Sequence, residues 1–437
     1  MPAHRTAIFW FRRDLRLHDN AGLYEALKQF DAVVPVFVFD TDILEKLPRY
    51  DRRVDFIAQA VSHLDTQLRE LGSALHIEVG SPVSILPALA SRYGAAAVFA
   101  NTDYEPEALA RDAHIERQLV QQGISLQRFK DQVIFEKSEV VKDDGTPYTV
   151  FTPYSRKWKA HCNAFFLKPY PTVQYAQCLA GRDKLQLTTV KPDVAVLGFK
   201  PTDMVFTPPS VSRTCLSDYG AQRDFPAADA TSRLGVHLRF GTGSIRALAQ
   251  QAAGLSDVFL NELIWRDFFQ MLIWHFPKTV EHAFKPAYDA IVWRNNAADF
   301  ERWKQGQTGY PLVDAGMREL QATGFMHNRV RMVVASFLCK HLLIDWRWGE
   351  RYFAEHLLDY ELAANVGNWQ WAAGCGADAA PYFRVFNPSL QAQKFDPESR
   401  YIRKWVPEYG SASYPAPMVD HAQARARCLA VYQQAVK

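Results

Sequence analysis

The chain has 437 residues, of which 48% are hydrophobic, 22% charged and 13% aromatic, and its formal net charge is +3. This length allows two or three domains, and the ordinary composition excludes a disordered, collagenous or fibrous chain. No apolar run approaches the roughly 20 residues that span a bilayer, and no secretory signal opens the chain. The six scattered cysteines lack metal-ligand spacing. We therefore expect a cytoplasmic protein with free thiols, no metal and no membrane partner.

The first 130 residues alternate short apolar runs with amphipathic stretches. The predicted strands are Thr6–Phe11, Val33–Asp40, Ala74–Val79, Ala96–Asn101 and Ile124–Phe129. The predicted helices are Asn20–Phe30, Arg52–Leu71, Pro82–Tyr93 and Pro106–Gln122. Strands that are apolar along their whole length are typical of a parallel sheet covered on both faces. We predict a doubly wound α/β domain over residues 1–130, with a five-stranded parallel sheet and any ligand beyond the carboxyl ends of the strands.

Prolines interrupt residues 131–215, where no periodicity persists, so we predict a connection between two domains there. From 216 to 437 the pattern is helical almost throughout, and no stretch alternates with period two for long enough to form a sheet. The predicted helices are Ser244–Ala253, Asp257–Phe276, Asp299–Gln305, Pro311–Thr323, Asn328–Leu343, Gly349–Leu358, Glu361–Trp371 and an amphipathic helix over residues 421–437. The second domain is therefore predicted to be all-α.

One helix of this second domain carries a candidate site. Glu262, Trp265 and Arg266 follow helical spacing and share one face of a helix that is otherwise apolar nearly all round. Burying a glutamate and an arginine on such a face is costly unless a polar group docks against them. This cost favours a binding site over an incidental ion pair.

Two other stretches could bind anionic groups. Asn328, Arg331 and Met332 share a helix face by the same spacing, with Arg329 pointing elsewhere. Residues 231–233 (Thr-Ser-Arg) supply hydroxyls, backbone N–H groups and a cation just before a helix, which is typical of a phosphate cradle.

Eleven tryptophans are present, and most lie in the second domain. Trp369 and Trp371 follow three polar residues, Asp359, Glu361 and Asn365. On a helix the two tryptophans point about 200° apart, so we expect them to serve different surfaces, one at a cleft and one in the interior.

Five stretches, in this order, resemble the photolyase/cryptochrome family, and the closest likeness is to class I cyclobutane pyrimidine dimer photolyases. They are WFRRDLRLHDN (10–20), RDFPAADATSRLG (223–235), NELIWRDFF (261–269), MHNRVRM (326–332) and DYELAANVGNWQWAAGCGADAAPYFRVFNP (359–388). The resemblance implies an enzyme, a deoxyribodipyrimidine photo-lyase, in which photoexcited FADH⁻ donates an electron to a flipped-out pyrimidine dimer in DNA.

The resemblance also implies that the all-α domain binds FAD. The implied phosphate-binding residues are Tyr219, Thr231, Ser232, Arg233, Leu234 and Gly235. The residues implied to line the flavin are Arg266, Asn328, Arg331, Asp359, Glu361 and Asn365, the last facing the flavin N5. Gly235 stands where many relatives have Ser, and Glu361 where many have Asp, which places its carboxylate one methylene further out.

The resemblance further assigns the substrate and the electron path. Trp265 and Trp371 would pack against the dimer, Glu262 would hydrogen-bond it and Met332 would lie beside it. The implied contacts to the damaged strand are Arg223, Arg329, Arg384 and Gln391. Trp369, Trp346 and Trp293 match an electron relay that leads from the flavin to the surface.

The implied partners are UV-damaged DNA and an antenna chromophore in the α/β domain, which could be folate, a deazaflavin, a flavin or absent. Glu105 lies in the region that contacts folate in the family. No protein partner is implied, and we expect a monomer.

Three relatives give alternative functions. Signalling cryptochromes usually carry Asp or Cys where this chain has Asn365, and DASH-type relatives usually carry Tyr where it has Trp371. Enzymes that repair six-four photoproducts use His in the segment around His327, but that single histidine does not restore their pattern. These residues favour repair of cyclobutane dimers.

Overall fold

The computed structural model describes residues 5–187 and 192–436. Within these residues one parallel five-stranded sheet forms, with the strand order β3-β2-β1-β4-β5. The strands are β1 (Thr6–Phe11), β2 (Ala32–Asp40), β3 (His76–Gly80), β4 (Ala95–Asn101) and β5 (Ser125–Phe129). Ile8 of β1, in the middle of the sheet, pairs with Val34 on one side and Val98 on the other, and all three are buried. The predicted doubly wound sheet is confirmed.

Helices alternate with these strands as predicted. The predicted ones are observed as Ala21–Gln29, Arg52–Glu70, Pro82–Arg92 and Pro106–Gln121, and a short helix that was not predicted, Thr41–Leu44, follows β2. Polar side chains begin two of them: Asn20 accepts a hydrogen bond from the Leu23 N–H, and Asp51 accepts one from the Arg53 N–H. Such caps satisfy backbone donors that the first helical turn leaves without partners.

The proline-rich stretch after the sheet contains more regular structure than we predicted. Its helices are Phe151–His161, Ala164–Leu167, Thr172–Cys178 (3₁₀), Arg182–Lys184 (3₁₀) and Arg213–Gln222. The first of these buries Tyr154 and Trp158, and the Trp158 indole donates to Asp267 Oδ2 at 2.9 Å. This helix was not predicted because it contains Pro153, which lies in the first turn, where proline is tolerated.

The rest of the described chain is helical, and no strand follows Phe129 within the described residues, which confirms the all-α prediction. The α-helices are Gly235–Arg239, Ile245–Ala253, Asp257–His275, Ala297–Lys304, Pro311–Thr323, Asn328–Ser336, Trp346–His356, Leu362–Ala373, Pro388–Phe395, Arg400–Trp405 and His421–Ala435. The 3₁₀ helices are Pro226–Ala228, Pro277–Val280 and Pro286–Ala290. The helix predicted over 328–343 ends as an α-helix at Ser336 and continues as a π-helical turn, Phe337–His341.

The chain forms two compact units. The α/β unit comprises Met1–Glu139, Lys159–Ser210 and Leu234–Gly254, and the helical unit comprises Val140–Trp158, Val211–Arg233 and Leu255–Lys437. The predicted boundaries at residues 130 and 215 stay a prediction. The core of the helical unit packs around the fully buried Trp303, Trp346 and Trp369.

Candidate functional site

A cavity in the helical unit collects many of the predicted site residues. Predicted cofactor residues that line it are Asn328, Arg331, Asp359, Glu361 and Asn365. Predicted substrate and relay residues that line it are Met332, Trp369 and Trp371. Phe353, Leu357 and Ala335 add apolar wall. Residues distant in sequence thus form one cavity with polar and aromatic walls.

The expectation that Trp369 and Trp371 serve different surfaces is wrong. Both line this cavity, Trp369 as a residue 2% exposed and Trp371 as a half-buried one. The cavity follows a broad arc of helix Leu362–Ala373, since Ala364 and Ala372 also line it. Because the cavity covers so much of the helix circumference, it reaches both Trp369 and Trp371.

Two arginine–carboxylate pairs belong to this site. Arg331 donates from Nη2 to both Asp359 carboxylate oxygens, at 3.0 and 3.1 Å, and from Nε to the Met326 carbonyl at 2.7 Å. Arg266 contacts Glu361 at 2.7 Å, and both side chains are less than 10% exposed. Glu361, the residue with the additional methylene, is therefore held by Arg266.

Asn365 is held by a residue that the sequence analysis missed. Its side-chain amide donates to the Glu350 carbonyl at 3.0 Å and to Glu350 Oε1 at 2.9 Å. Burial raises the pKa of Glu350, although the Asn365 amide opposes this shift. Both donors of the amide point at Glu350, which leaves Asn365 Oδ1 as the acceptor for a ligand. No motif links two residues on different helices, so the sequence gives no signal for this pair.

Glu262, Trp265 and Arg266 each have a different partner, and neither Glu262 nor Trp265 is among the described residues that line the cavity, so their shared site stays a prediction. The Trp265 ring stacks on Phe151 with centroids 3.7 Å apart and is also stacked with Phe269 at 5.3 Å. Arg223 hydrogen-bonds Glu262. Burial raises the pKa of Glu262, and the charge of Arg223 opposes that rise.

Both arginines predicted to contact DNA near this face have acidic partners. Besides the Arg223–Glu262 pair, Arg329 Nη2 lies 2.7 Å from Asp224, which the sequence analysis did not select. Asp224 directly follows Arg223 in the sequence, and that adjacency was the available signal. Elsewhere, Arg384 is exposed and Gln391 is half-buried.

The predicted phosphate-binding residues do not line the cavity. Tyr219 packs against Phe259 with ring centroids 4.9 Å apart. Thr231 and Ser232 are half-buried, and Arg233 pairs with Asp229 at 2.7 Å. Leu234 and Gly235 belong to the α/β unit, where they begin helix Gly235–Arg239. Their role stays a prediction.

The three predicted relay tryptophans share one aromatic core. Trp346 and Trp369 are buried in it, and Trp293 packs against it from a half-buried position. Trp369 contacts Phe353 at 5.0 Å and Trp303 at 6.3 Å between ring centroids. The order of electron transfer along these residues stays a prediction.

A second cavity lies in the α/β unit and has a volume of about 570 Å³. The carboxyl ends of β1 and β2 line it, as expected for a ligand site in a doubly wound sheet. Arg12 and Arg111 lie over the Trp10 ring, at 4.4 and 5.2 Å from its centroid. Glu105 also lines it and accepts hydrogen bonds from Arg13, at 3.0 Å, and from Arg239.

Among the described residues, we find no helix with the length and apolar character of a membrane span. In the same part of the chain, no group of three or more His, Cys, Asp or Glu residues has an arrangement that could hold a metal ion.

Comparisons with known proteins give one consistent answer. Residues 7–174 match the family model described as DNA photolyase, and residues 259–413 match that described as the FAD binding domain of DNA photolyase. The deoxyribodipyrimidine photo-lyase of Synechococcus sp. is 36% identical, covering 98% of this chain and 96% of that protein. That of Escherichia coli is 36% identical over 99% of each chain.

Solved structures agree with these matches. A bacterial class III photolyase from Agrobacterium tumefaciens is similar with a TM-score of 0.88 at 34% identity, covering 100% of this chain and 98% of that one. An archaeal photolyase from Sulfolobus tokodaii, solved with two FAD molecules, has a TM-score of 0.83 at 36% identity, covering 98% of this chain and 100% of that one.

Proposed function

The chain belongs to the DNA photolyase family, and from that premise we propose that it is a light-driven enzyme, a deoxyribodipyrimidine photo-lyase, that repairs cyclobutane pyrimidine dimers in DNA. The observation that carries the proposal is the cavity of the helical unit, which brings Asn328, Arg331 and Asn365 together with Trp371 and Met332. Polar groups that could hold a cofactor thus lie beside apolar groups that could hold a base.

The side chains of this cavity fit FAD chemically. Bound FAD in its reduced form supplies, on absorbing light, the electron that opens the cyclobutane ring. Arg331 places a guanidinium at the site and so favours a negatively charged ring system. The amide of Asn365 offers an acceptor and does not titrate, while Trp369 and Phe353 give an apolar wall.

The substrate side of the proposal rests on Trp265, Trp371 and Glu262. A flipped-out dimer has to leave the base stack at a cost of a few kcal/mol, and each aromatic contact with a base returns about 1–3 kcal/mol. Because burial raises the pKa of Glu262, its carboxyl group holds a proton more readily than an exposed one. The Glu262 carboxylate accepts a hydrogen bond from Arg223 in this structure and could accept one from a base N–H instead.

Light harvesting is a second role, and the 570 Å³ cavity of the α/β unit favours it. Its volume lies in the range of small-molecule sites, about 300–1,000 Å³. Trp10 offers an aromatic surface there, and Arg12 and Arg111 already cover it in part. Absorbance of the purified protein would distinguish folate, deazaflavin and flavin, which absorb at different wavelengths.

Illumination of a thymine-dimer oligonucleotide tests the proposed activity. The chemically reduced, FAD-loaded protein is mixed with the oligonucleotide, and products are separated after illumination and in a dark control. We expect the two thymines to be restored only in the light. A six-four photoproduct in the same sequence is the matched control substrate, which should stay unchanged. No repair of either lesion would contradict the proposal and favour a signalling role.

Replacing Trp369 tests the relay separately. Trp369→Phe should slow light-dependent reduction of the bound cofactor, followed by its visible absorbance, while the chemically reduced variant still repairs DNA. Trp303→Phe changes a buried neighbour of Trp369 outside the predicted relay and is the matched control. Equal slowing in both variants would show that core packing, not the relay, is responsible.

A further inference from the structure

Four charged side chains form an alternating row on the helical unit. Glu262 contacts Arg223, Asp224 lies 4.0 Å from Arg223 Nε, and Asp224 also contacts Arg329 at 2.7 Å. We call these residues the surface row. Their side chains are between 19% and 39% exposed, so solvent reaches all four.

The row is electrically neutral, with two arginines and two carboxylates. Arg329 is also fixed by packing, because its guanidinium lies 4.4 Å from the Phe395 ring centroid. Both arginines are the ones proposed to contact the damaged strand. Affinity for DNA of any sequence comes chiefly from basic residues that neutralise phosphates. In the surface row, the two carboxylates already neutralise the arginines that would otherwise neutralise phosphates.

We propose that Asp224 is a specificity-determining residue, which holds Arg223 and Arg329 in place of DNA phosphates and so weakens binding to undamaged DNA. This inference rests on the proposed function. An undamaged duplex can only exchange the carboxylate partners of the arginines for phosphates, with little net gain. A lesion also fills the site beside Trp265 and takes Glu262 as its own partner, which offsets the loss of the Arg223–Glu262 pair.

The experiment compares two duplexes of one sequence, with and without a single thymine dimer, by fluorescence anisotropy in the dark. Asp224→Asn should raise affinity for the undamaged duplex about fivefold, the size expected from releasing a partly exposed ion pair. Affinity for the damaged duplex should rise less than twofold. For undamaged DNA the slope of log K against log salt should steepen by about 0.9, since one more phosphate is neutralised.

Matched variants separate this role from changes in net charge or folding. Asp218 is exposed in helix Arg213–Gln222, six residues before Asp224, and accepts a hydrogen bond from Ser217 at 3.1 Å. Asp218→Asn makes the same charge change without touching the row and should leave discrimination unchanged. Asp224→Glu keeps the charge and should retain wild-type discrimination. Asp224→Ser should give the same result as Asp224→Asn. It replaces Asp224→Asn if the latter does not fold.

Four results would overturn the inference, the last of them together with the proposed function. Equal effects of Asp218→Asn and Asp224→Asn would show that only net charge matters. Weaker binding of Asp224→Asn to both duplexes would show that Asp224 merely orients Arg329. If the wild-type protein discriminates between the duplexes and Asp224→Asn discriminates equally well, the inference alone fails. If the wild-type protein binds both duplexes equally, the proposed function fails with it.

Discussion

The helical unit contains two groups of arginine–carboxylate pairs with similar chemistry, and exposure varies within the cavity group, where the Arg331 and Asp359 side chains are 24% and 20% exposed. In the cavity group, the Arg266 and Glu361 side chains are 9% and 8% exposed, whereas Arg223 and Glu262 in the surface row are 26% and 31% exposed. Removing one partner of a buried pair leaves the other charge in a poorly solvated place, which is expensive. An exposed pair loses little, because water takes over the contact. The comparison indicates that buried pairs fix the shape of a site, whereas exposed ones can exchange partners with a ligand.

The largest expected effect is on the buried pair. Glu361→Ala removes the carboxylate that Arg266 contacts and should lower the free energy of unfolding by about 3–5 kcal/mol, measured by denaturant titration. The double variant with Arg266→Ala should lose less than the sum of the two single changes, because no buried charge remains. If Glu361→Ala is as stable as the wild type, the pair is not what holds this part of the site.

A smaller effect on stability is expected for a substitution at Gly349, which packs against Trp369 of the cavity. A Cβ on Gly349 would lie 2.1 Å from Trp369 Cη2 and 2.6 Å from Leu338 Cδ2. Gly349→Ala should therefore displace Trp369 and cost about 1–3 kcal/mol of stability. Gly254→Ala is the control, since no described atom outside its chain neighbours and its own helix backbone lies within 4 Å of its added Cβ, and should change stability by less than about 0.5 kcal/mol. Equal effects would show that the backbone, not the crowding, is responsible.

Acid should affect both groups through His327, the N-cap of helix Asn328–Ser336, which carries Arg329 and Arg331. The His327 ring accepts a hydrogen bond from the Arg329 N–H at 3.2 Å. Burial, with the charge of Arg331, lowers the pKa of His327 to about 4 from its ordinary 6.5. As the pH falls, the unfolded chain therefore takes up the proton first, and stability is lost between pH 6.5 and 4.

His327→Asn tests this dependence, because asparagine keeps a capping acceptor and does not titrate. In the wild type this histidine should contribute a loss of up to about 1.4 kcal/mol for each pH unit between 6.5 and 4. The slope of the free energy of unfolding against pH should be reduced by that amount in the variant. Parallel curves for the two proteins would contradict the assignment.

The smallest expected effect is on the surface row. Glu262→Gln should change stability by less than about 1 kcal/mol, because the Arg223–Glu262 pair is partly exposed, measured by the same titration as Glu361→Ala. Asp218→Asn provides the matched surface control. A decrease of more than 2 kcal/mol in the free energy of unfolding would show that the Arg223–Glu262 pair behaves like a buried pair, which would contradict the comparison.

Elements with strong local patterns were predictable from the sequence. The strands of the α/β unit were placed within two residues of their observed ends, because strands buried on both faces are apolar along their whole length. Helix Phe151–His161 was missed, since Pro153 imitates a loop signal.

The candidate site was predictable only where the resemblance named its residues. The pairing of Arg266 with Glu361 joins residues 95 apart in sequence, and neither Glu350 nor Asp224 belongs to a local pattern that marks it. Such pairs arise from tertiary packing, which one sequence does not encode locally. Helical spacing also did not predict that Trp369 and Trp371 line the same cavity. That outcome depends on the width of the cavity, which the sequence does not give.

The α/β unit has a consequence for how the protein is made on the ribosome. Arg246, from the segment Leu234–Gly254, contacts the buried Asp19 and Asp131 at 2.9 and 2.7 Å. During synthesis these two aspartates emerge more than a hundred residues before Arg246 does. Arg16, which is made early, contacts Asp131 at 2.7 Å, whereas Asp19 lacks Arg246 until the chain is more than half complete. Truncation before residue 246 should therefore leave Asp19 without this cation and destabilise the fragment.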